Sequence, residues 1–118
     1  MEQKLEAVVV PVSDVDRSRH FYRALGFRLD DDRTDPDGSR FVQLTPPGSS
    51  CSIIIGTGLT SAEPGGTIGI LIVTDLEAAL TDLQARGAAP STVAVCPDGS
   101  PYVSLRDPDG NRWLLASS

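Results

Sequence analysis

The sequence repeats itself at an offset of about half its length, and this duplication restricts the possible folds more than any other feature. Residues 36–42 (PDGSRFV) match residues 97–103 (PDGSPYV), an offset of 97 − 36 = 61 residues. The same offset aligns residues 12–15 (VSDV) with residues 73–76 (VTDL). Independent matches at one offset indicate two tandem copies of one structural unit.

Each copy predicts the same order of elements. An apolar run rich in Val and Ile opens each copy, at residues 5–12 and 67–73, and is typical of a β-strand. Asp14 and Asp75 follow as N-cap candidates, and apolar side chains then recur at helical spacing. Three shorter strands are expected at residues 27–32, 40–45 and 51–56 in the first copy, and at 91–95, 102–106 and 112–116 in the second.

The chain is therefore predicted to be a single α+β domain of two tandem βαβββ modules. Module one covers residues 1–56 and module two covers residues 67–118. Residues 57–66, rich in Gly, Ser, Thr and Pro, are interpreted as a linker. Each helix can cover one face of a curved mixed sheet, and the other face then needs a partner or a ligand.

Composition disfavours several classes of protein. The formal net charge of −6 repels phosphate backbones, so we expect no nucleic-acid partner, and it suits a neutral or cationic ligand. No apolar run reaches the roughly 20 residues of a membrane helix. The charged first residues lack the apolar core of a signal peptide, so a cytoplasmic protein without a membrane partner is expected.

Three segments resemble a known family. Residues 10–14 (VPVSD) followed by residues 19–27 (RHFYRALGF) resemble the first strand and helix of the vicinal oxygen chelate superfamily. That superfamily includes glyoxalase I, extradiol dioxygenases, fosfomycin-resistance enzymes and bleomycin-resistance proteins. Residues 107–111 (DPDGN), before an apolar strand, resemble its last hairpin. The resemblance covers nearly the whole chain and implies two βαβββ modules, cavities half-enclosed by curved sheets, and a homodimer.

The same resemblance implies where metal ligands would lie. The resemblance matches the metal ligands of the metal-dependent members to Ala7, Ile68 and Leu114 of this chain. If the turn before the last strand of module two has one more residue than that of module one, the fourth position is Ser52. Three of these residues have no donor atom, and a single neutral hydroxyl is too weak to hold a divalent cation. We therefore predict no metal and no cofactor, which disfavours the activities that need a metal as Lewis acid.

Strand alternation predicts an apolar cleft with a few polar groups, the usual composition of a small-molecule site. Phe41 and Tyr102 offer rings on which a flat ligand can stack, at about 0.5–1.5 kcal/mol beyond area burial. Trp113 is expected in the core on the helix side, with the edge of the cleft as the alternative. The candidate ligand-binding residues are Ala7, Val9, Phe41, Gln43, Ser52, Ile54, Ile68, Ile70, Tyr102, Ser104, Trp113 and Leu114.

No catalytic residue is predicted. His20 is the only histidine and lies on a helix without a clustered partner. The acidic run of residues 30–32 is interpreted as a solvated strand end. We therefore predict a non-catalytic protein that sequesters a hydrophobic or aromatic natural product. Its role would be antibiotic self-resistance, as in the metal-free bleomycin-resistance proteins that it resembles.

Two alternatives stay open at this point. One is a metal-independent tailoring enzyme, an isomerase or cyclase of a biosynthetic pathway, with Tyr102, Asp14 or Glu6 as acid or base. The other is a metal-dependent glyoxalase-type lyase or dioxygenase whose ligands lie elsewhere. A linker of about ten residues also permits the modules of one chain to close one cavity or to exchange between the chains of a dimer.

Overall fold

The computed structural model describes residues 1–117 and contains two βαβββ units in tandem, which confirms the predicted α+β class. The predicted second module ends at residue 118, which lies outside the described residues. The first unit comprises β1 (Ala7–Val9), α1 (Val15–Ala24), β2 (Arg28–Thr34), β3 (Arg40–Thr45) and β4 (Ser52–Gly56). The second comprises β5 (Ile68–Val73), α2 (Leu76–Ala85), β6 (Ala94–Val95), β7 (Pro101–Arg106) and β8 (Arg112–Ser117).

The two helices begin and end in the same way. The side chains of Asp14 and Asp75 accept a hydrogen bond from the backbone N–H three residues on, at 3.1 Å in both cases. After each helix a glycine takes a left-handed conformation, Gly26 with φ of 97° and Gly87 with φ of 84°. Both N-cap predictions are therefore confirmed. Within residues 1–117, no helix combines the length and apolar character needed to cross a membrane.

Each unit forms one four-stranded mixed sheet. The strand orders are β1-β4-β3-β2 and β5-β8-β7-β6, with β1–β4 and β5–β8 parallel and the other pairs antiparallel. The first strand is shorter than the predicted residues 5–12 at both ends, and at its C-terminal end Pro11 has no N–H to continue the ladder. β6 is also shorter than predicted, since the Ser91 hydroxyl accepts the Ser104 N–H in place of a backbone carbonyl.

One hydrophobic core joins the two modules through the sides of the sheets that carry the helices, here called the helix sides. Tyr22 on α1 is fully buried, and its ring lies 5.9 Å from that of Trp113 on β8, edge to face. Phe27 also packs against Trp113, with ring centroids 6.2 Å apart. The buried strand residues that complete this core are Val42, Leu44, Ile53, Ile55, Val103, Leu105 and Leu115.

A buried polar network accompanies this core. The Tyr22 hydroxyl donates to Asp107 Oδ2 at 2.6 Å and accepts from Trp113 Nε1 at 3.0 Å. Asn111 Nδ2 donates to the same Asp107 oxygen at 2.8 Å and to the Pro11 carbonyl at 2.9 Å. Burial, together with the hydrogen bond to Asp107, raises the pKa of Tyr22 far above its usual range, so Tyr22 remains the donor. The DPDGN turn of module two is thereby bound to module one.

Replacement of Tyr22 by Phe tests this network. Tyr22→Phe leaves the buried Trp113 indole N–H without its acceptor and removes one of the donors to the buried Asp107 carboxylate, so we expect the free energy of unfolding to fall by about 1–3 kcal/mol. Urea unfolding followed by circular dichroism measures it. Tyr102→Phe is the matched control, because the half-buried Tyr102 lies on the opposite side of its sheet, and its change should stay within about 0.5 kcal/mol. An equal loss in both variants would contradict the assigned role.

Candidate functional site

Each sheet has a side without a helix, here called its open face, and the open face of the first sheet carries half of the predicted binding residues. In the parallel β1–β4 pair, Ala7 lies opposite Ser52. Ile54 lies between Val9 on one neighbouring strand and Gln43 on the other. Because successive side chains alternate between the two faces, these positions share one surface. The predicted residues on this face are Ala7, Val9, Phe41, Gln43, Ser52 and Ile54.

The open face of the second sheet is more apolar. Leu114 lies between Ile70 on β5 and Ser104 on β7, and Tyr102 lies opposite Ala116. Ile68, Ile70 and Ile72 on β5 are 60%, 66% and 61% exposed, so nothing in the described chain covers this edge of the sheet. The predicted residues on this face are Ile68, Ile70, Tyr102, Ser104 and Leu114.

Two predicted binding residues are largely removed from these surfaces. Trp113 is only 5% exposed and lies on the helix side, where it donates to Tyr22, so it lies in the core, as alternation led us to expect, and its inclusion among the binding residues is wrong. Ser52 lies on the open face but is 5% exposed. Its hydroxyl is 2.7 Å from that of Thr45, which in turn hydrogen-bonds Asp30. That hydroxyl stabilises the sheet and has little surface left for a ligand.

The two open faces of one chain do not enclose a cavity together. The modules are joined through their helix sides, so both open faces point away from the shared core. Within residues 1–117, no strand of one sheet is hydrogen-bonded to a strand of the other. The radius of gyration is 14.9 Å, larger than the value of about 13.5 Å for a compact domain of this length. One chain therefore does not bring its two open faces together around a cleft.

A groove that the sequence did not predict lies between the modules at the free edge of β5. Its volume is about 420 Å³, and it shares only Ile70 with the predicted binding residues. Its lining includes Phe27 and the turn at residues 46–49 from module one and Leu83 and residues 70–73 from module two, and Asp82 supplies a charge. Sequence reasoning missed this groove because its walls come from both modules, which meet only in the tertiary structure.

The strand register corrects one predicted equivalence between the modules. Ala7 pairs with Ser52, whereas Ile68, which matches Ala7 at the offset of 61 residues, pairs with Arg112. Ser52 is therefore equivalent to Arg112 and not, as predicted, to Leu114. The error arose from an extra residue assumed in the second module's turn. The turn between β7 and β8 is in fact the shorter of the two, by one residue.

The corrected register makes the metal positions more apolar than predicted. Leu114 pairs with Ile70 on β5, and Ile54 pairs with the equivalent residue of β1, Val9. Leu114 is therefore equivalent to Ile54, at an offset of 114 − 54 = 60 residues. The four equivalent positions are then Ala7, Ile54, Ile68 and Leu114, all hydrocarbon side chains. Such side chains offer no donor atom, so these residues do not fit a divalent metal. In the described part of the chain, no three His, Cys, Asp or Glu residues are grouped as a metal site.

The acidic run of residues 30–32 is neutralised by arginines and is not a free solvated edge. Hydrogen bonds from Arg28 and Thr45 lower the pKa of Asp30. The ion pairs of Asp32 connect β2 with α1 and β3, whereas those of Asp30 and Asp31 lie within β2. The ion pairs are Arg28–Asp30 at 2.6 Å, Arg33–Asp31 at 3.0 Å, Arg19–Asp32 at 2.9 Å and Arg40–Asp32 at 2.7 Å.

The three residues considered as acids or bases are not brought together. Asp14 caps α1 through its side chain, Glu6 is exposed before β1, and Tyr102 lies on the open face of the other module. His20 is exposed on α1 and belongs to neither open face. The geometry therefore assembles no pair of titratable groups among these candidates.

The sequence model of the Glyoxalase/Bleomycin resistance protein/Dioxygenase superfamily matches residues 4–115. TnmS3, an antibiotic binding protein from Streptomyces sp. CB03234, is 30% identical with a TM-score of 0.82, over 98% of this chain and 96% of that one. A member of the superfamily from Sphaerobacter thermophilus is 29% identical with a TM-score of 0.81, over 99% and 98%. Lactoylglutathione lyase from Agrobacterium tumefaciens shares the fold, at 16% identity and a TM-score of 0.73, over 99% and 95%. No curated protein sequence matches at a significant level.

Because the four equivalent positions carry only hydrocarbon side chains, we predict that metal ions do not change the thermal stability of the protein. A metal bound at a hundredfold excess over its Kd would add about 2.7 kcal/mol to stability and raise Tm by several degrees. We expect Zn²⁺, Ni²⁺, Mn²⁺ or a chelator to move Tm by less than about 1 °C. The Cys51→Ser/Cys96→Ser variant controls for binding by the two thiols. Stoichiometric metal in that variant, found by elemental analysis, would contradict this assignment.

Proposed function

This chain belongs to the glyoxalase/bleomycin resistance protein/dioxygenase superfamily, and from that premise we propose that it binds a hydrophobic or aromatic natural product without transforming it. Protection against an antibiotic in the cytoplasm would then follow from affinity and protein concentration alone. One observation carries this proposal: the four equivalent positions Ala7, Ile54, Ile68 and Leu114, which the family resemblance matches to metal ligands, all carry hydrocarbon side chains. An all-hydrocarbon set can contact an apolar ligand but cannot polarise one.

The remaining groups on the open faces suit an aromatic ligand. Phe41 has the Arg33 guanidinium 4.4 Å from its ring centroid, so a ligand on the other face of that ring would extend the stack. Tyr102 is half-buried and presents a second ring on the open face of module two. Gln43 and Ser104 add an amide and a hydroxyl, which can orient a ligand through hydrogen bonds.

The comparison with TnmS3 supports the same proposal. That protein is an antibiotic binding protein, and the similarity extends over nearly the whole of both chains. At 16% sequence identity, the similarity to the lactoylglutathione lyase shows a shared fold and supports no statement about function. Binding without catalysis therefore agrees with both the similarity and the missing donor groups.

We further propose that the functional unit is a homodimer. The open faces of one chain point apart, and the three isoleucines of β5 form an exposed apolar edge, which soluble proteins normally cover. A second copy related by a twofold axis can set its module two against module one of the first copy. This arrangement closes two identical cavities and leaves no module unpaired.

Substitution of Ile70 tests the dimer. Wild-type protein should sediment at about 25 kDa, twice the chain mass of 12.5 kDa, and Ile70→Asp should sediment as a monomer because it places a charge in the proposed interface. Val95→Asp is the matched control: Val95 is also 66% exposed but lies on β6, at the opposite edge of the same sheet. A wild-type monomer, or dissociation by both substitutions, would contradict the proposed interface.

Ligand binding is tested by calorimetric titration with a panel of polycyclic aromatic and glycopeptide antibiotics. We expect at least one polycyclic compound to bind, and Tyr102→Ala to weaken binding about two- to tenfold through loss of one stacking contact. His20→Ala, on an exposed helix position, should leave Kd unchanged. The bound compound should be recovered with unchanged mass. A changed mass would favour a tailoring enzyme, and no binding across the panel would refute the proposal.

A further inference from the structure

Two arginines lie side by side on the open face of module two without an acidic partner. Arg106, the last residue of β7, pairs directly with Arg112, the first residue of β8. Both share the face of Ser104 and Leu114, because each lies two residues away along its strand. Among residues 1–117, neither guanidinium forms an ion pair or a hydrogen bond. The arginines that do form ion pairs are Arg19, Arg28, Arg33, Arg40 and Arg86.

The nearest carboxylates in sequence are already bound elsewhere. Asp107 and Asp109 lie in the turn between the two arginines, where sequence proximity alone would suggest local ion pairs. Asp107 accepts hydrogen bonds from Tyr22 and Asn111 on the helix side. Asp109 accepts from the backbone N–H and the hydroxyl of Ser13, at 3.1 Å and 2.5 Å. The junction between the modules thus takes up both carboxylates and leaves the arginine charges uncompensated.

This arrangement costs stability in the free protein. Like charges directly opposite each other on neighbouring strands repel. In addition, Nε of Arg112 is shielded from solvent and has no hydrogen-bond partner in the described chain. A buried donor without a partner is unfavourable and is uncommon in folded proteins. Both costs would be removed by an anion with oxygen acceptors placed between the two guanidinium groups.

We propose that Arg106 and Arg112 bind a carboxylate group of the ligand. This inference rests on the proposed function and specifies one chemical group of its ligand. Guanidinium groups match carboxylates in planar, charge-assisted pairs. Tyr102 lies four residues from Arg106 on the same strand, roughly 13 Å along the face. A polycyclic aromatic acid can therefore place its carboxylate on the arginines and its rings against Leu114 and Tyr102. The local positive charge selects this group although the whole chain is acidic, with a net charge of −6.

Two fluorescent probes with the same ring system separate charge recognition from ring binding. Anthracenecarboxylate carries the proposed anionic group, and anthracenemethanol is its neutral counterpart. We expect the wild-type protein to bind the acid about tenfold more tightly than the alcohol, by fluorescence anisotropy. The Arg106→Gln/Arg112→Gln variant should lose this tenfold preference while its affinity for the alcohol stays within about twofold. Circular dichroism verifies that the variant is folded.

Arg17→Gln is the matched control, because Arg17 is an exposed arginine on α1 without an ion pair among the described residues. It should keep the preference for the acid. In ¹⁵N-labelled wild-type protein, the Arg112 Nε–H resonance should shift on addition of the acid and not of the alcohol. This readout reports the contact directly and does not depend on a variant.

The outcomes separate the two proposals. Equal affinity for acid and alcohol, or a preference that survives in the double variant, would overturn the carboxylate site and leave the proposed function intact. Arginine-dependent binding of the acid without any binding of the alcohol would support the carboxylate site and count against the aromatic pocket. No binding of either probe would overturn the carboxylate site together with the pocket. Dissociation of the dimer by the double substitution, with the preference retained, would assign the arginines to a carboxylate of the second copy and overturn the inference.

Discussion

The hydrogen bonds from Tyr22 to Asp107 and from Asn111 to the Pro11 carbonyl fix how the two modules are arranged. They tie the DPDGN turn of module two to α1 and to the Pro11 carbonyl of module one, on the helix sides of both sheets. Once the modules are joined there, their open faces must point outward. The exposure of the β5 isoleucines and the separation of the predicted binding residues into two surfaces both follow from this junction.

The same junction has an electrostatic consequence. Asp107 and Asp109 are bound on the helix side, so the arginines that flank them face the open side without a counter-charge. Polarity is therefore distributed unevenly over the proposed cavity: one end carries Arg106 and Arg112, and the middle is hydrocarbon. A surface of this kind distinguishes ligands by the position of an anionic group relative to an apolar body, which a purely apolar pocket cannot do.

Hydrocarbon side chains at the four equivalent positions limit what this scaffold can do. A metal would need convergent nitrogen or oxygen donors, and Ala7, Ile54, Ile68 and Leu114 supply none. These side chains lie on the open faces of the sheets, which a partner or a ligand can cover, and they are suited to contact an apolar small molecule. Binding affinity is then the property on which the proposed function depends.

Local and periodic features could be read from the sequence, because they depend on residues close in the chain. The duplication, the N-caps at Asp14 and Asp75 and the strand at residues 40–45 were all predicted, since capping and alternation are short-range effects. The equivalence of Ser52 was not, because one residue in a turn shifts the register and only the paired strands show it. The hydrogen-bond partners of Trp113 and Asp107 and the direction of the open faces likewise depended on contacts between residues about 90 positions apart, although alternation alone had placed Trp113 on the helix side. Such contacts form only when both modules are folded and packed, so the tertiary structure alone could decide them.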